Sequence, residues 1–401
     1  MLSAIQGTIE TIVFIYNDEF IEDRGGVQNV SVKLAQKFKE MGKRIIFLST
    51  NQLKKQLAVK NDLISIHITE NIFGSLLPTT LKFLDDIFVQ YQNILVINQA
   101  ALGGGGEALS SYFKRQHNAY VYASIHNSPL GEVNRVLSQW KLIHIKKISP
   151  STFQIIESFL IFLYRLKRKK KYEKIYSSSD CFVVLHKAYI DELRRVMNSE
   201  EVQVRVITNP FSFENVPLVE VPKENIILFL GRLENKQKRV NTLIDIWARV
   251  CFDFPNWRLV ILGHGPDAEK LKRQSAKYKM ANIEFVGAVD PHVYLRTAKV
   301  LCLTSAFEGT PMVIPEAQFY GVLPICMDNF SAAGDMLNHG KCGILVSEND
   351  QKEYEAKLRD ILSDEALIQK YSDSIKDLSE FEKVFDICKR WLKLHSGHFD
   401  E

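Results

Sequence analysis

N-I-I-L-F-L-G-R-L-E-N-K-Q-K-R-V (225–240) opens with an apolar run, Ile226 to Leu230, closed by a glycine and an arginine. A short apolar run bounded in this way reads as a strand buried on both faces, the kind found in parallel sheets. Downstream the pattern recurs, and strands are predicted at 226–230, 258–262, 283–286, 300–303, 323–326 and 344–346. Upstream, T-I-V-F-I-Y (11–16), R-I-I-F-L-S (44–49), N-I-L-V-I-N (93–98), Y-V-Y-A-S-I-H (120–126) and C-F-V-V-L-H (181–186) read the same way. Amphipathic stretches lie between them. One of these, 27–42, ends on Gly42, as a helix terminus does. Strands alternating with helices predict an α/β fold with parallel sheets covered by helices on both faces. The periodicity fails in a proline-rich join, N-P-F-S-F-E-N-V-P-L-V-E-V-P (209–222). The expected architecture is therefore two Rossmann-like, doubly wound domains at 1–215 and 222–377.

At 401 residues the chain is long enough for two separate cores. Its 46% hydrophobic and 24% charged content is ordinary for a globular protein. The cysteines at 181, 251, 302, 326, 342 and 388 form no C-x-x-C pair and read as buried thiols in a reducing compartment. No stretch combines the features of a secretory leader, and no run of ~18 apolar residues would span a bilayer. A cytoplasmic protein is expected. The net charge of +4 is mild, but its basic residues are clustered.

The densest chemistry lies in F-E-G-T-P-M-V-I-P-E-A-Q-F-Y-G-V-L (307–323). Seven residues separate Glu308 from Glu316. Gly309 lacks a Cβ and lets backbone approach a ligand. Pro311 fits the first turn of a helix, whose free N–H groups favour an anion. With the helix starting there, Glu308 lies at the mouth and Glu316 deeper on a similar side. Two carboxylates flanking a phosphate site suit a sugar nucleotide.

This pattern resembles the E-x₇-E motif of retaining glycosyltransferase family 4, which has the GT-B fold of two domains facing a central cleft. The segments 226–240, 257–267 and 282–287 resemble the family's donor domain, in its order. The resemblance covers about residues 220 to 350. It implies a metal-independent hexosyltransferase with no cofactor. The donor would be a nucleoside-diphosphate sugar, UDP-linked, and the acceptor a hydroxyl of a glycan or lipid-linked glycan, as in surface-polysaccharide synthesis. It also implies that a C-terminal helix near 378–397 packs back on the first domain.

The implied site follows residue by residue. Arg232 and Lys238, in a G-R-x-x-x-x-K pattern, would hold the diphosphate; Lys236 and Arg239 leave that register open. Gly263 and Gly265 would approach the nucleotide, and backbone near Ala288 would meet the base. Glu316 would take the ribose hydroxyls, Glu308 the donor sugar, and Gly309 and Thr310 the sugar and phosphate. In the first half, Gly25 and Gly26 resemble the family's G-G loop. His126 resembles its active-site histidine, with His186 as the competitor. No D-x-D triplet occurs, so the usual ligands of a metal bridge are missing and no metal site is expected. A nucleotide-sugar epimerase or hydrolase, or a non-catalytic binding protein, are the alternatives on this fold.

The stretch from Phe153 to Lys174 couples apolar residues to a cluster, Arg165, Lys167, Arg168, Lys169, Lys170 and Lys171. Such a pairing suits an anionic membrane face; a core helix followed by a solvated charge run is the plainer reading. Nucleic acid is not an expected partner, because no nucleic-acid motif accompanies the charge.

Overall fold

The computed structural model describes residues 9–16, 26–49, 57–60, 63–67, 76, 78–102, 105–117, 119–144, 149–210, 221–279, 282–377 and 384–394. The chain divides into two compact units. The first comprises Met1–Pro129, Phe159–Pro210 and Glu382–Glu401, the second Leu130–Ser158 and Phe211–Phe381.

The first unit is built on an eight-stranded sheet: β1 (Thr11–Tyr16), β2 (Arg44–Ser49), β3 (Leu57–Lys60), β4 (Leu63–His67), β5 (Ile94–Asn98), β6 (Tyr120–Ile125), β7 (Cys181–Val184) and β8 (Val204–Val206). Their order is β3-β4-β2-β1-β5-β6-β7-β8. β1 is buried throughout because its two faces feed two cores, as successive side chains must. Ile12, Phe14 and Tyr16 pack with Leu34, Phe38 and Phe47, while Val13 and Ile15 pack with Leu84, Phe88 and Phe113. β3 pairs antiparallel with β4, against the expectation of parallel strands alone. Only two positions, 61 and 62, join them, and so short a connection allows no crossover. The helix Val384–Lys393 lays Val384, Ile387, Cys388 and Trp391 into the core that contains Ile12 and Leu34.

The second unit carries six parallel strands: β9 (Ile226–Leu230), β10 (Arg258–Leu262), β11 (Ile283–Gly287), β12 (Val300–Leu303), β13 (Leu323–Met327) and β14 (Ile344–Val346). All six match the predicted positions to within a residue. Their order, β11-β10-β9-β12-β13-β14, runs outward in both directions from the β9–β12 pair. That pair is the switch point of the sheet. Open parallel sheets form a ligand crevice there, because connections leave the two carboxyl ends in opposite directions. Trp247, fully buried on the helix Val240–Val250, anchors one face with Leu243, Leu259 and Tyr354.

Candidate active site at the sheet switch point

The chain leaves β9 through Gly231 and Arg232 and forms a single helical turn, Asn235–Lys238. It leaves β12 through Thr304 to Phe307 and reaches Glu308. The two loops meet in one ion pair, Lys238 Nζ to Glu308 Oε1 at 2.6 Å, with the side chains only 17% and 5% exposed. Gln237 Nε2 donates to the other carboxylate oxygen at 3.2 Å, so both Glu308 oxygens are engaged. Charges this buried are tolerated only when paired and hydrogen-bonded. The carboxylate is felt below: burial raises the Cys326 thiol well above its ordinary pKa, and Glu308 adds to the rise. Lys238 reaches the pair by running over Gly231, where a Cβ would come 3.6 Å from its Cε.

The other predicted donor residues surround this pair unevenly. Arg232 projects outward with its side chain 63% exposed and pairs with Glu234. Its guanidinium is thus accessible. Gly263 and Gly265 need to be glycines for a reason inside the fold. A Cβ on Gly263 would fall 1.9 Å from Gly231 O, and one on Gly265 2.5 Å from Leu233 O. The loop after β10 therefore lies directly on the loop after β9, with Leu233 N donating to His264 O at 2.9 Å. Asp267 Oδ2 accepts from Asn235 N at 2.7 Å and fixes the start of the short turn. Ala288 is exposed just beyond β11.

Gly309, Thr310 and Glu316 are half-buried beyond Glu308. The helix begins at Val313 instead of Pro311, so Glu316 lies in its first turn and not deep within it. Pro315 is the proline inside that turn, while Pro311 O accepts from Ile314 N at 3.1 Å in the approach to it. The sequence reading missed Gln237. Its signal was position alone, one residue before Lys238.

In the first unit, Gly25 lies outside the described residues and Gly26 opens the helix Gly26–Glu40. His126 follows β6 and is half-buried. Its Nε2 meets Gln99 Oε1 and lies 3.2 Å from Ser124 Oγ, while Nδ1 is buried without a protein partner. An amide oxygen only accepts, so Nε2 carries the proton and Nδ1 is a bare acceptor. Burial pulls the ring's pKa down to about 4. His186 sits edge-on to Tyr189, 5.4 Å between centroids.

The basic cluster lies on the helix Pro150–Ser177, and much of it is engaged locally. Arg165 donates to Asn198 Oδ1 at 2.6 Å, Lys169 lies 3.5 Å from Glu173, and Lys171 donates to Leu102 O at 2.5 Å. Arg168 lies over the Tyr164 ring, 5.9 Å from its centroid. Lys167 and Lys170 face solvent. So do Ile155, Phe159, Phe162, Leu163 and Leu166, at 45–70% exposure. Positions 155, 159, 162 and 166 repeat by four, three and four, which places them on one face. Lys170 continues that face one turn on. Among the described residues, no helix is long and apolar enough to cross a membrane, and no group of three His, Cys, Asp or Glu side chains is placed to hold a metal ion.

Comparison with known proteins agrees with this architecture. Two doubly wound units, the second with its charged pair at the switch point, define a GT-B fold. The galactosyltransferase WaaB of the lipopolysaccharide outer core aligns over 95% of this chain and 99% of its own, with a TM-score of 0.66 at 19% identity. HepE of Anabaena, solved with UDP, aligns over 97% and 100% with a TM-score of 0.69 at 13% identity. Residues 212–377 match the family of glycosyl transferases group 1. That match lies within the second half of the chain. One relative is the Campylobacter jejuni enzyme named GalNAc-alpha-(1->4)-GalNAc-alpha-(1->3)-diNAcBac-PP-undecaprenol alpha-1,4-N-acetyl-D-galactosaminyltransferase. It is 30% identical over 199 residues, which is 48% of this chain and 54% of that protein. The chain spans about half the length of most of the curated relatives it matches.

Two predictions arise from this geometry. Lys238→Ala leaves the Glu308 carboxylate buried and uncompensated, a loss of about 3–5 kcal/mol. Glu308→Gln leaves Lys238 closer to water and keeps a hydrogen-bonding oxygen, so it costs less. Urea unfolding of the two variants should rank them in that order; the reverse order would show that the unpaired lysine is the costlier charge to leave buried.

The second prediction concerns pH. The folded pKa of His126 lies below the usual value of 6.5, so the unfolded chain binds the proton more readily. The neutral ring therefore contributes stability that is fully present above about pH 6.5 and lost as pH falls toward 4. His126→Gln should flatten the stability-versus-pH curve between those limits relative to the parent. Parallel curves would place the ring in water.

Proposed function

We propose that the protein is a retaining hexosyltransferase. It moves a sugar from a nucleoside diphosphate, UDP by preference, to a hydroxyl of a glycan or lipid-linked glycan at the cytoplasmic face of a membrane. The observation that carries this reading is the Lys238–Glu308 pair on the loops after the two switch-point strands. A diphosphate arriving there meets Lys238 and the exposed fork of Arg232, which suits phosphate geometry. It competes with Glu308 for the ammonium. Glu308 is then released toward the hydroxyls of the donor sugar, while Glu316 in the next helix serves the ribose. As the bond to the anomeric carbon breaks, negative charge grows on the diphosphate. Fixed cations stabilise it without reorganising, which is the work a divalent metal would otherwise do. Retention is achieved when the acceptor hydroxyl enters on the face the diphosphate leaves and gives its proton to a phosphate oxygen. A HepE structure with UDP and a relative named for an undecaprenol-linked acceptor support the choice of donor and acceptor class.

The test is transfer from a panel of sugar nucleotides to a lipid-linked glycan in EDTA, with the anomeric configuration of the product read by NMR. Transfer with retention is expected, and Lys238→Ala should lower turnover by roughly 10²–10³. Activity that requires added magnesium or manganese would overturn the electrostatic account. Release of free sugar without transfer would make the enzyme a hydrolase.

The helix Pro150–Ser177 is proposed as the membrane-facing element. Its two solvent-facing lysines add about 1 kcal/mol each at an anionic surface. Full burial of one Leu or Phe side chain contributes about 1.5–3 kcal/mol, so the apolar stripe dominates. The protein should co-sediment with phosphatidylglycerol vesicles, and salt should weaken this binding without abolishing it. Phe159→Asp with Leu166→Asp should abolish it. No sedimentation of the parent at low salt would make the stripe a solvated face.

A further inference from the structure

Directly after Lys238, Arg239 holds φ 48° and ψ 42°, the left-handed region that a residue with a Cβ avoids. Glycine would relieve the strain at once. A strained, non-glycine residue beside a functional group points to something the strain secures. The Arg239 side chain is buried, 7% exposed, and its Nη2 has no hydrogen-bond partner in the protein. Its Nη1 donates to Asn349 Oδ1. Burial lowers the guanidinium's pKa, and the nearby Glu348 charge opposes that fall.

Asn349 is itself left-handed, φ 58°. Its backbone N donates to Asn329 Oδ1 at 3.1 Å, and Asn329 Nδ2 donates to Ser305 O at 2.7 Å. Ser305 lies three residues before Glu308. The chain of contacts therefore runs from the residue after Lys238, across the loops following β14 and β13, to the loop that carries Glu308. A second route is direct. Thr304 Oγ1 donates to Arg239 O at 2.9 Å, and Ala306 N donates to Gln237 O at 2.7 Å. Two routes therefore join the same two loops.

We infer that Arg239 is a positioning residue: its buried link to Asn349 fixes the loops that carry Lys238 and Glu308 relative to one another. The inference rests on the glycosyl-transfer reading. A misplacement of about 1 Å in catalytic groups costs up to ~10²-fold in rate even when the altered residue never touches the substrate. The signature sought is thus a loss of turnover with substrate affinity and folding intact.

The experiment compares the parent with Arg239→Gly, Arg239→Lys, Asn349→Gly and the Arg239→Gly/Asn349→Gly double variant. Glycine fits both left-handed positions, so each single change removes the link without adding strain. The readouts are kcat and KM for the UDP-sugar that the parent uses, UDP affinity by calorimetry, and melting temperature. Arg239→Gly is expected to melt within a few degrees of the parent, keep KM and UDP affinity, and lose kcat by about ten- to a hundredfold. Arg239→Lys should recover part of the loss. The double variant should be no slower than the worse single variant, since both act through one contact. Unchanged kcat in well-folded Arg239→Gly overturns the inference while leaving the glycosyltransferase reading intact. Should Arg239→Gly fail to fold, Asn349→Gly decides alone, and full turnover there overturns the inference equally. A parent that neither binds UDP nor transfers sugar refutes the underlying reading and the inference with it.

Discussion

Two opposite charges 2.6 Å apart and nearly out of water, Lys238 and Glu308, depend on the sheet beneath them. Neither could be buried alone. They meet because β9 and β12 are neighbours although distant in sequence, and because the switch point leaves room above their carboxyl ends. Gln237 occupies the second carboxylate oxygen, and the backbone bond from Ala306 to Gln237 draws the loops together. The surrounding glycines follow from the same crowding. Gly263 and Gly265 are pressed against the β9 loop, which keeps that loop from swinging away and exposing the pair. Lys238 is thereby held in place by the fold itself.

The fold was largely legible in the sequence because parallel strands buried on both faces leave unbroken apolar runs. Ile226–Leu230 and Val300–Leu303 emerge where the runs place them. What escaped is what periodicity does not encode. The short strands β3 and β4 form an edge hairpin, and four or five residues are too few for a pattern to stand out. The start of the helix near Glu316 was misplaced by two residues, because Pro311 and Pro315 both suit a first turn and only the contacts of Ile314 and Glu316 decide between them.

The site was legible in kind and less so in arrangement. Lys238 and Glu308 were each singled out, yet nothing in a linear chain states that they touch, since strand order is a tertiary fact. Arg239 raised doubt about the register of Lys238, and burial separates the two. Lys238 points to the pair, while Arg239 turns inward to Asn349. The basic cluster shows the same limit. Six cations look alike in sequence, but on the helix Pro150–Ser177 Arg165, Lys169 and Lys171 have local partners. Helical phase, not charge count, decides which residues face outward. It gathers Ile155, Phe159, Phe162 and Leu166 on one exposed face.

Both sheets follow one topological rule, so the difference between the units lies in what their loops hold. In the first unit, His126 at the end of β6 is kept neutral by burial and offers a bare Nδ1. In the second, the loops after β9 and β12 carry full charges held by pairing. The same α/β architecture thus provides two chemically distinct edges: burial favours the neutral imidazole at one, and a carboxylate partner offsets the cost of burying the lysine at the other.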